Sequence, residues 1–344
     1  MAIPEGLFVP ALEVTRGPMV ESIHSASIAV ADASGKVRAR LGGIDHPVYL
    51  RSSAKPFQAM AVVESGAVEK FGLEPAELAI MAGSHSSEPG HVETVRGILA
   101  KLGLDVSALK CGTHTPFNHD IAREFSVSGR PLTALEHNCS GKHAGMLAAA
   151  LAGGHDISRY LSPAHPVQQR TMGIVADLTG RMRDRIMISM DGCGAPTLGL
   201  TLSEAARAFA RLISPGVLSP VHADAAVRVV EAMRRHPRMI AGEGMMDTDL
   251  TAWPRHSIIS KRGAEGVQCL AYIKDGTGMG VAAKVADGDN YRGRVAMLVG
   301  ILGQLELLSL SESSRFAESN LLVIRNNAGR PVGAVRPAFR LRQA

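Results

Sequence analysis

Ser52 and Lys55 are the residues whose types and spacing most directly point to chemistry. They lie in the segment Arg-Ser-Ser-Ala-Lys-Pro at 51–56, which contains the pattern Ser-x-x-Lys. A serine hydroxyl is a weak nucleophile until a nearby base takes its proton. Side chains three positions apart on a helical turn lie on the same face. A neutral Lys55 is therefore a candidate base for Ser52 in acyl transfer, although the spacing alone also recurs by chance.

Two cysteines in glycine-containing turns form a second candidate site. Cys139 lies in Asn-Cys-Ser-Gly-Lys-His at 138–143, and Cys193 lies in Asp-Gly-Cys-Gly at 191–194. Thiolates suit a soft or borderline metal such as zinc, but two of them do not close a site. The missing ligands stay open among His143, Asp191, Lys142 and water. The alternative is a pair of small buried cysteines in tight turns.

Four further residues are candidates for the same site, and each has an ordinary alternative. Ser84 lies in a serine-rich loop, where most hydroxyls bond only to backbone, and a lysine such as Lys261 in a loop is usually solvated. Arg51 is suited to clamp a carboxylate, or it is a surface charge. Asn118 could contact a substrate, although its spacing alone does not favour this.

The elements that must position these residues follow from hydrophobic periodicity. Helices are predicted over 56–68, 91–102, 166–178, 203–213 and 221–235, and strands over 78–82 and 185–190. Hairpins are predicted over 21–40 and over 267–285, with a last strand pair near 321–325 and 331–336. Strands at both ends and helices between them predict an α+β fold with an antiparallel sheet and a mainly helical middle. We expect a single catalytic domain over 1–344.

Composition limits the classes of function. The chain has 344 residues, of which 46% are apolar and 4% aromatic, so the core must be mostly aliphatic. The net charge is +5 without basic runs that interleave with aromatics, and we expect no nucleic-acid partner. No apolar run approaches the ~20 residues of a membrane span, and no signal-peptide pattern is present. We therefore expect a cytoplasmic protein whose four cysteines do not form disulfides.

Six motifs in order resemble those of the rhizobial-type (class 3) L-asparaginases, also called the asparaginase II family. They are Arg-Ser-Ser-Ala-Lys-Pro-Phe-Gln at 51–58, Gly-Ser-His-Ser at 83–86, Cys-Gly-Thr-His at 111–114, Asn-Cys-Ser-Gly-Lys-His-Ala-Gly-Met at 138–146, Asp-Gly-Cys-Gly-Ala-Pro at 191–196 and Gly-Ala-Glu-Gly at 263–266. The similarity continues to Val-Gly-Ala-Val-Arg-Pro at 332–337 and so spans nearly the whole chain.

The resemblance implies a fold, an activity and a set of residues. The implied fold is that of serine β-lactamases and serine-dependent glutaminases, and the implied activity is hydrolysis of L-asparagine to L-aspartate and ammonia by a homodimer. The catalytic residues it implies are two Ser-Lys pairs: Ser52 with Lys55, and Ser84 with Lys261. It also implies a zinc ion held by Cys139, Lys142, Cys193 and water.

The mechanism expected on this basis begins with attack of Ser52 on the side-chain carboxamide, with Lys55 as the base. Ser84 and Lys261 are expected to relay protons or to keep Lys55 neutral. Backbone N–H groups near Ser52 or in the Gly83–Ser84 loop are expected to stabilise the oxyanion. Four residues are predicted to contact the substrate: Arg51, Asn118, His143 and Asp191.

Two rival functions remain open. The first is another Ser-x-x-Lys acylase, such as a glutaminase or a penicillin-interacting hydrolase. The usual Lys-Thr-Gly partner motif is missing, and the two cysteine turns have no place in that pattern. The second is a catalytically silent protein that binds an amino acid or zinc, which would be expected to lack a serine or lysine from one of the two pairs. All four residues are present.

Overall fold

The elements of the fold are taken from a computed structural model that describes residues 5–309, 311–312, 316 and 322–344. The strands are β1 (Val9–Arg16), β2 (Met19–Asp32), β3 (Val37–Leu41), β4 (Pro47–Tyr49), β5 (Met187–Met190), β6 (Pro196–Thr201), β7 (Ile259–Arg262), β8 (Val267–Lys274), β9 (Thr277–Val285), β10 (Val323–Arg325), β11 (Pro331–Pro337) and β12 (Arg342–Gln343). The α-helices are α1 (Lys55–Glu64), α2 (Ala67–Phe71), α3 (Pro75–Met81), α4 (Pro89–Lys101), α5 (His119–Ser128), α6 (Ser140–Ala152), α7 (Pro166–Thr179), α8 (Leu202–Leu212), α9 (Pro220–Arg235), α10 (Arg238–Ala241), α11 (Met246–Thr251) and α12 (Arg292–Gln304).

An antiparallel sheet joins the two ends of the chain. Its strand order is β10-β11-β1-β2-β9-β8-β7, and β3 pairs with both β2 and β12. Strand β2 pairs with β9 through the register Ala26↔Val285 to Asp32↔Met279, so the N-terminal hairpin is bonded directly to the C-terminal hairpin. Strand β7 stands at the end of this order, next to β8. A smaller antiparallel sheet has the order β4-β6-β5.

The two faces of the large sheet are covered by different helices. Successive strand residues point to opposite faces, and the core follows that alternation. Ala29 and Ala282 belong to a core cluster that includes the α8 residue Phe209. Their neighbours Ile28 and Val281 belong to the cluster that includes residues of α12. The sheet is therefore buried on both sides, mostly by aliphatic side chains.

The middle of the chain forms the helical part of the larger cluster. Helix α1 contacts α6, α7 and α9, while α3 contacts α4, α6 and α9. Nearly every residue of α6 is buried, which explains why its sequence carries no polar stripe. An α+β fold with an antiparallel sheet and a mainly helical middle is thus confirmed.

Most of the predicted elements lie where the periodicity places them. The 21–40 and 267–285 hairpins correspond to β2–β3 and β8–β9. The helix predicted over 56–68 is interrupted at Gly66, which adopts a positive φ between α1 and α2. Leu321, in the predicted last strand pair, lies outside the described residues. None of the helices in the described ranges combines the length and apolar content needed to cross a membrane.

The strand predicted over 78–82 is wrong, because that segment lies in α3. Glu74 and Glu77 form a capping box at the start of this helix, and Pro75 occupies its first turn. A short apolar run cannot by itself distinguish a buried strand from a buried helix. These start signals, which lie one to four residues before the run, decide in favour of the helix.

Candidate active site

Ser52 and Lys55 lie on one tight turn, as the sequence predicts. Residues Arg51–Ala54 form a 3-10 helix that runs directly into α1, and the Lys55 N–H donates to the Ser52 carbonyl. Lys55 is fully buried, at 0% exposure, whereas Ser52 is half-buried. The lysine side chain therefore points into the protein, while the serine lies where a small molecule can approach it.

The Lys55 amine bonds with the second motif rather than with its own serine. It donates to Ser84 Oγ at 2.8 Å, to the Gly83 carbonyl at 2.6 Å and to the Asn138 carbonyl at 3.1 Å. Its hydrogen bonds in the described structure do not include one to the Ser52 hydroxyl. Lys55 is thus the point at which the three motifs around residues 52, 84 and 138 meet.

Lys261 approaches the same serine from the sheet. Its amine, fully buried on β7, donates to Ser84 Oγ at 3.0 Å and to the Arg262 carbonyl at 2.9 Å. The Ser84 hydroxyl therefore lies between two lysine amines. We call Ser52, Lys55, Ser84 and Lys261 the Ser-Lys centre.

Burial shifts both lysines of the Ser-Lys centre toward the neutral amine. It lowers the pKa of Lys55, against the opposing effect of the Cys139 thiol. Burial also lowers the pKa of Lys261, which lies well below its ordinary value although Asp247 opposes the shift. The charge of Lys55 lowers the Lys261 pKa further. A neutral Lys55 has two N–H donors, for the Gly83 and Asn138 carbonyls, and one lone pair, which can accept from the Ser84 hydroxyl. General base catalysis requires such a free lone pair.

The loop that carries Ser84 is fixed by a close backbone approach at Gly83. A Cβ atom on Gly83 would lie 2.4 Å from the Met239 carbonyl oxygen, so a side chain there would displace α10. This approach lets the Ser84 N–H donate to the Ile240 carbonyl at 2.6 Å. The backbone that carries the Ser84 hydroxyl is therefore fixed against α10.

A second close approach joins the Ser52 turn to β7. A Cβ atom on Gly263 would lie 2.6 Å from the Leu50 carbonyl oxygen. Beside it, the buried Ser53 hydroxyl donates to the Lys261 carbonyl at 2.9 Å. The turn that carries Ser52 and the strand that carries Lys261 are therefore directly bonded to each other.

The predicted metal ligands lie together and are buried. Cys139 precedes the first residue of α6, Lys142 is in its first turn, and Cys193 lies in the turn between β5 and β6. Their exposures are 5%, 4% and 4%, and the Lys142 amine lies 3.0 Å from the Cys193 sulfur. All four cysteines of the chain are free thiols.

The chemistry of this group fits zinc. Within the described ranges, no three His, Cys, Asp or Glu side chains converge as a metal site, so a metal here depends on two thiols and the lysine amine. The hydrogen bond between the two thiols lowers the pKa of Cys139 well below its ordinary value and raises the pKa of Cys193, so the pair shares one thiolate of the kind that zinc prefers. Lys142 would have to lose its proton to coordinate.

Two of the predicted substrate contacts bond to each other. Arg51 donates to Asp191 Oδ1 through Nε at 2.9 Å and through Nη2 at 2.7 Å. Arg51 has φ +52°, a left-handed conformation that a non-glycine residue adopts at a cost of ~1–3 kcal/mol. The ion pair joins the Ser52 turn to the Cys193 turn, and Asp191 Oδ2 takes no part in it.

His143 and Asn118 have different surroundings. The fully buried His143 bonds through Nδ1 to the Tyr160 hydroxyl at 2.7 Å, while its Nε2 has no hydrogen-bond partner among the described residues. Asn118 caps α5, where its side-chain oxygen accepts from Asp120 N and Ile121 N at 3.0 and 3.2 Å. His143 therefore retains an atom for a ligand, whereas the Asn118 oxygen is occupied.

Three residues of the surroundings were not found from the sequence. Ser53 has a signal in hindsight, because it stands inside the first motif. Tyr160, which holds His143, and Asp247, a carboxylate behind β7 with 2% exposure, have none. A polar residue outside any recognised motif gives no sequence signal that tertiary packing will bury it.

Several solved structures resemble the fold at low identity. The structure described as Mglu in its native form is 16% identical, with a TM-score of 0.43 over 88% of this chain and 69% of that one. A putative beta-lactamase from Bacteroides dorei DSM 17855 is 14% identical, with a TM-score of 0.41 over 78% and 86%. A Bacillus glutaminase is 12% identical, with a TM-score of 0.38 over 83% and 92%. Such values establish no function for this chain.

The sequence itself matches a family. No curated protein matches the chain, but the family model described as L-asparaginase II matches residues 12–337. That range contains both Ser-Lys pairs, the two cysteine turns and Lys142. The chain therefore belongs to the L-asparaginase II family of amidohydrolases.

Proposed function

We propose that this protein is an L-asparaginase, which hydrolyses L-asparagine to L-aspartate and ammonia through a serine activated by lysine. The observation that carries the proposal is the Ser84 hydroxyl between the amines of Lys55 and Lys261, at 2.8 and 3.0 Å. The half-buried Ser52 lies on the turn that leads into α1, whose first residue is Lys55. A silent binding protein would have no need for two buried lysines aimed at one hydroxyl.

Ser52 is the proposed nucleophile. Its hydroxyl attacks the side-chain carboxamide carbon while neutral Lys55 takes the hydroxyl proton, and a tetrahedral oxyanion forms. The C–N bond then breaks, and the departing nitrogen takes a proton from the Lys55 ammonium to leave as ammonia. Water attacks the resulting β-aspartyl ester, the same amine accepts a proton from that water, and Ser52 is regenerated with release of aspartate.

Ser84 is proposed as a proton relay. Its Oγ lies within hydrogen-bond distance of both lysine amines, so the hydroxyl can accept a proton from the Lys55 ammonium while it donates its own proton to a neutral Lys261. The same contacts also support Ser84 as an alternative nucleophile, because it is the serine directly bonded to a base. The two assignments differ in which serine carries the acyl group.

The oxyanion donors belong on the Ser52 side of the site. The Gly83 and Ser84 N–H groups donate to the Ile80 and Ile240 carbonyls. Of the two locations expected from the sequence, the Gly83–Ser84 loop is therefore occupied. Near Ser52, the N–H groups of Arg51, Ser53 and Lys55 donate to Thr197 Oγ1, the Leu50 carbonyl and the Ser52 carbonyl. The N–H of Ser52 itself is therefore the proposed donor.

The Arg51–Asp191 pair is the proposed site for the charged end of asparagine. The Oδ2 of Asp191, which does not take part in the bonds with Arg51, suits the α-ammonium group, and the Arg51 guanidinium suits the α-carboxylate. His143 Nε2, which is buried and has no hydrogen-bond partner among the described residues, is a further polar atom proposed to bond with the substrate. These groups recognise an α-amino acid rather than a β-lactam or a peptide.

Zinc is the proposed cofactor. Cys139, Lys142 and Cys193 would hold it, and their burial next to Lys55 favours a role in ordering the pocket. When bound, the ion supplies a fixed positive charge that orients polar groups. A homodimer in the cytoplasm is proposed from the family alone, and light scattering of the purified protein tests the dimer.

The direct experiment measures ammonia release from L-asparagine and L-glutamine, together with cleavage of a chromogenic β-lactam. We expect turnover of asparagine well above that of glutamine and no cleavage of the lactam. Preferential glutamine turnover would make the protein a glutaminase, and lactam cleavage would place it with the penicillin-interacting hydrolases. If a folded, zinc-loaded protein showed none of the three activities, the remaining function would be that of a catalytically silent protein that binds an amino acid or zinc.

A further inference from the structure

Helix α11 covers the outer edge of the strand that carries Lys261. Strand β7 pairs with β8 on one side, and on its other side two N–H groups point toward α11. Ser260 N donates to Thr251 Oγ1 at 3.2 Å, and Arg262 N donates to Asp247 Oδ2 at 2.8 Å. Side chains of α11 therefore take the place that a further strand would occupy.

Asp247 is the centre of a buried hydrogen-bond network behind this strand. Its Oδ1 accepts from the Ser260 hydroxyl at 2.7 Å and from Gln268 Nε2 at 3.2 Å. Gln268 in turn accepts from the buried Arg294 at 2.6 Å. A buried carboxylate is costly unless it is fully hydrogen-bonded, and Asp247 meets this condition.

The bonds of Asp247 flank Lys261 on both sides. Asp247 bonds to the Ser260 hydroxyl and to the Arg262 N–H. Because side chains alternate along a strand, the Lys261 side chain lies on the opposite face of β7 from the side chains of Ser260 and Arg262. Lys261 then reaches Ser84 and the Arg262 carbonyl. The direction of the Lys261 amine thus depends on a strand segment that Asp247 fixes.

We propose that Asp247 is a positioning residue, which acts through Ser260 and Arg262 to hold the Lys261 amine against Ser84. The proposal rests on the function assigned above to the Ser-Lys centre. The hydrogen bonds of Asp247 within the described part of the chain go to Ser260, Arg262 and Gln268, which lie outside that centre. Its negative charge also opposes the effect of burial on the Lys261 pKa. The proposed role is positional, because a displacement of about 1 Å at a reacting group costs about 100-fold in rate.

The test replaces the carboxylate with its neutral isostere, Asp247→Asn. We expect kcat for asparagine to fall about 100-fold with KM unchanged, because the substrate does not contact this residue. A crystal structure of the variant should show Lys261 Nζ beyond about 3.5 Å from Ser84 Oγ. The matched control is Asp275→Asn, which makes the same change in the exposed turn between β8 and β9 and should keep kcat and the Lys261–Ser84 bond.

A second variant tests the same role if Asp247→Asn does not fold. Ser260→Ala removes one of the two attachments without leaving the carboxylate unbonded, because Gln268 Nε2 and Arg262 N remain. We expect a smaller fall in kcat, about 10-fold, again without a change in KM. Unchanged kcat and an intact Lys261–Ser84 bond in whichever of these variants folds would overturn the proposal.

The crystallographic distance separates this proposal from the proposed function. If the wild-type protein does not hydrolyse asparagine, the assigned function fails. The positioning role is then judged by the Lys261–Ser84 distance alone: a lost bond in Asp247→Asn supports it, and a retained bond contradicts it.

Discussion

The Lys55 amine lies 2.8 Å from the Ser84 hydroxyl, although 29 positions separate the two residues in the chain. The lysine of the first Ser-Lys pair is thereby bonded to the serine of the second. The two pairs form one connected centre, in which Ser84 is the shared member.

Removal of each serine separately should distinguish their roles. We expect Ser52→Ala to lower kcat by at least about 1,000-fold, as loss of a nucleophile does. Ser84→Ala should lower it about 100-fold, the scale of a lost proton-transfer group. Ammonia release gives the rates, and melting curves verify that both variants fold. If Ser84→Ala is the more damaging change, Ser84 is the nucleophile.

Activity should rise toward alkaline pH. A lysine base works only after it loses its proton, and burial lowers the pKa of Lys55 below the ordinary 10.5. The pH profile of kcat/KM should therefore climb with pH, with its midpoint below 10.5. Lys55→Arg is the control, because arginine keeps its proton and should be inactive at every pH. A wild-type profile flat from neutral to alkaline pH would contradict a lysine base.

The protein should bind zinc through Cys139, Lys142 and Cys193. We expect elemental analysis to find about one zinc per chain and Cys139→Ser to lose it, since a hydroxyl is a poor zinc ligand. Cys269→Ser changes a buried cysteine of β8 and should keep the metal. Chelation should raise KM more than it lowers kcat. Full zinc content in Cys139→Ser would refute the ligand assignment.

His222 should make stability depend on pH near neutrality. Burial lowers its pKa, but hydrogen bonds to Asp177 at 2.8 Å and Glu64 at 2.6 Å outweigh burial and raise it. A raised folded-state pKa gives stabilisation that is complete below the unfolded value of 6.5 and is lost as pH rises through the folded value. Denaturant unfolding should show less of this loss in His222→Gln. Equal pH dependence in both proteins would contradict the prediction.

Gly263→Ala should disturb the contact between the Ser52 turn and β7. The new methyl group would meet the Leu50 carbonyl oxygen at 2.6 Å, and such overpacking costs about 1–3 kcal/mol. We expect a lower melting temperature together with a fall in kcat, since the turn and the strand carry Ser52 and Lys261. Gly90→Ala, at a position with no neighbour within 4 Å, is the control. A Gly263→Ala protein as active as wild type would show that this approach is not critical.

Local spacing and motif order explain what the sequence predicted. The Ser-x-x-Lys turn depends on residues three apart, so its formation could be inferred from a short segment. The hairpins and most of the helices follow likewise from local periodicity. The six motifs identified the family, which the match over residues 12–337 confirms.

By itself, the sequence determined the turn that carries both Ser52 and Lys55, the α+β class and the family. Only the tertiary structure decided that Lys55 bonds to Ser84, that Arg51 pairs with Asp191 and that Asp247 lies behind Lys261. The physical reason is distance along the chain. Arg51 and Asp191 are 140 positions apart, and no local pattern encodes a contact that forms only when distant backbones pack closely.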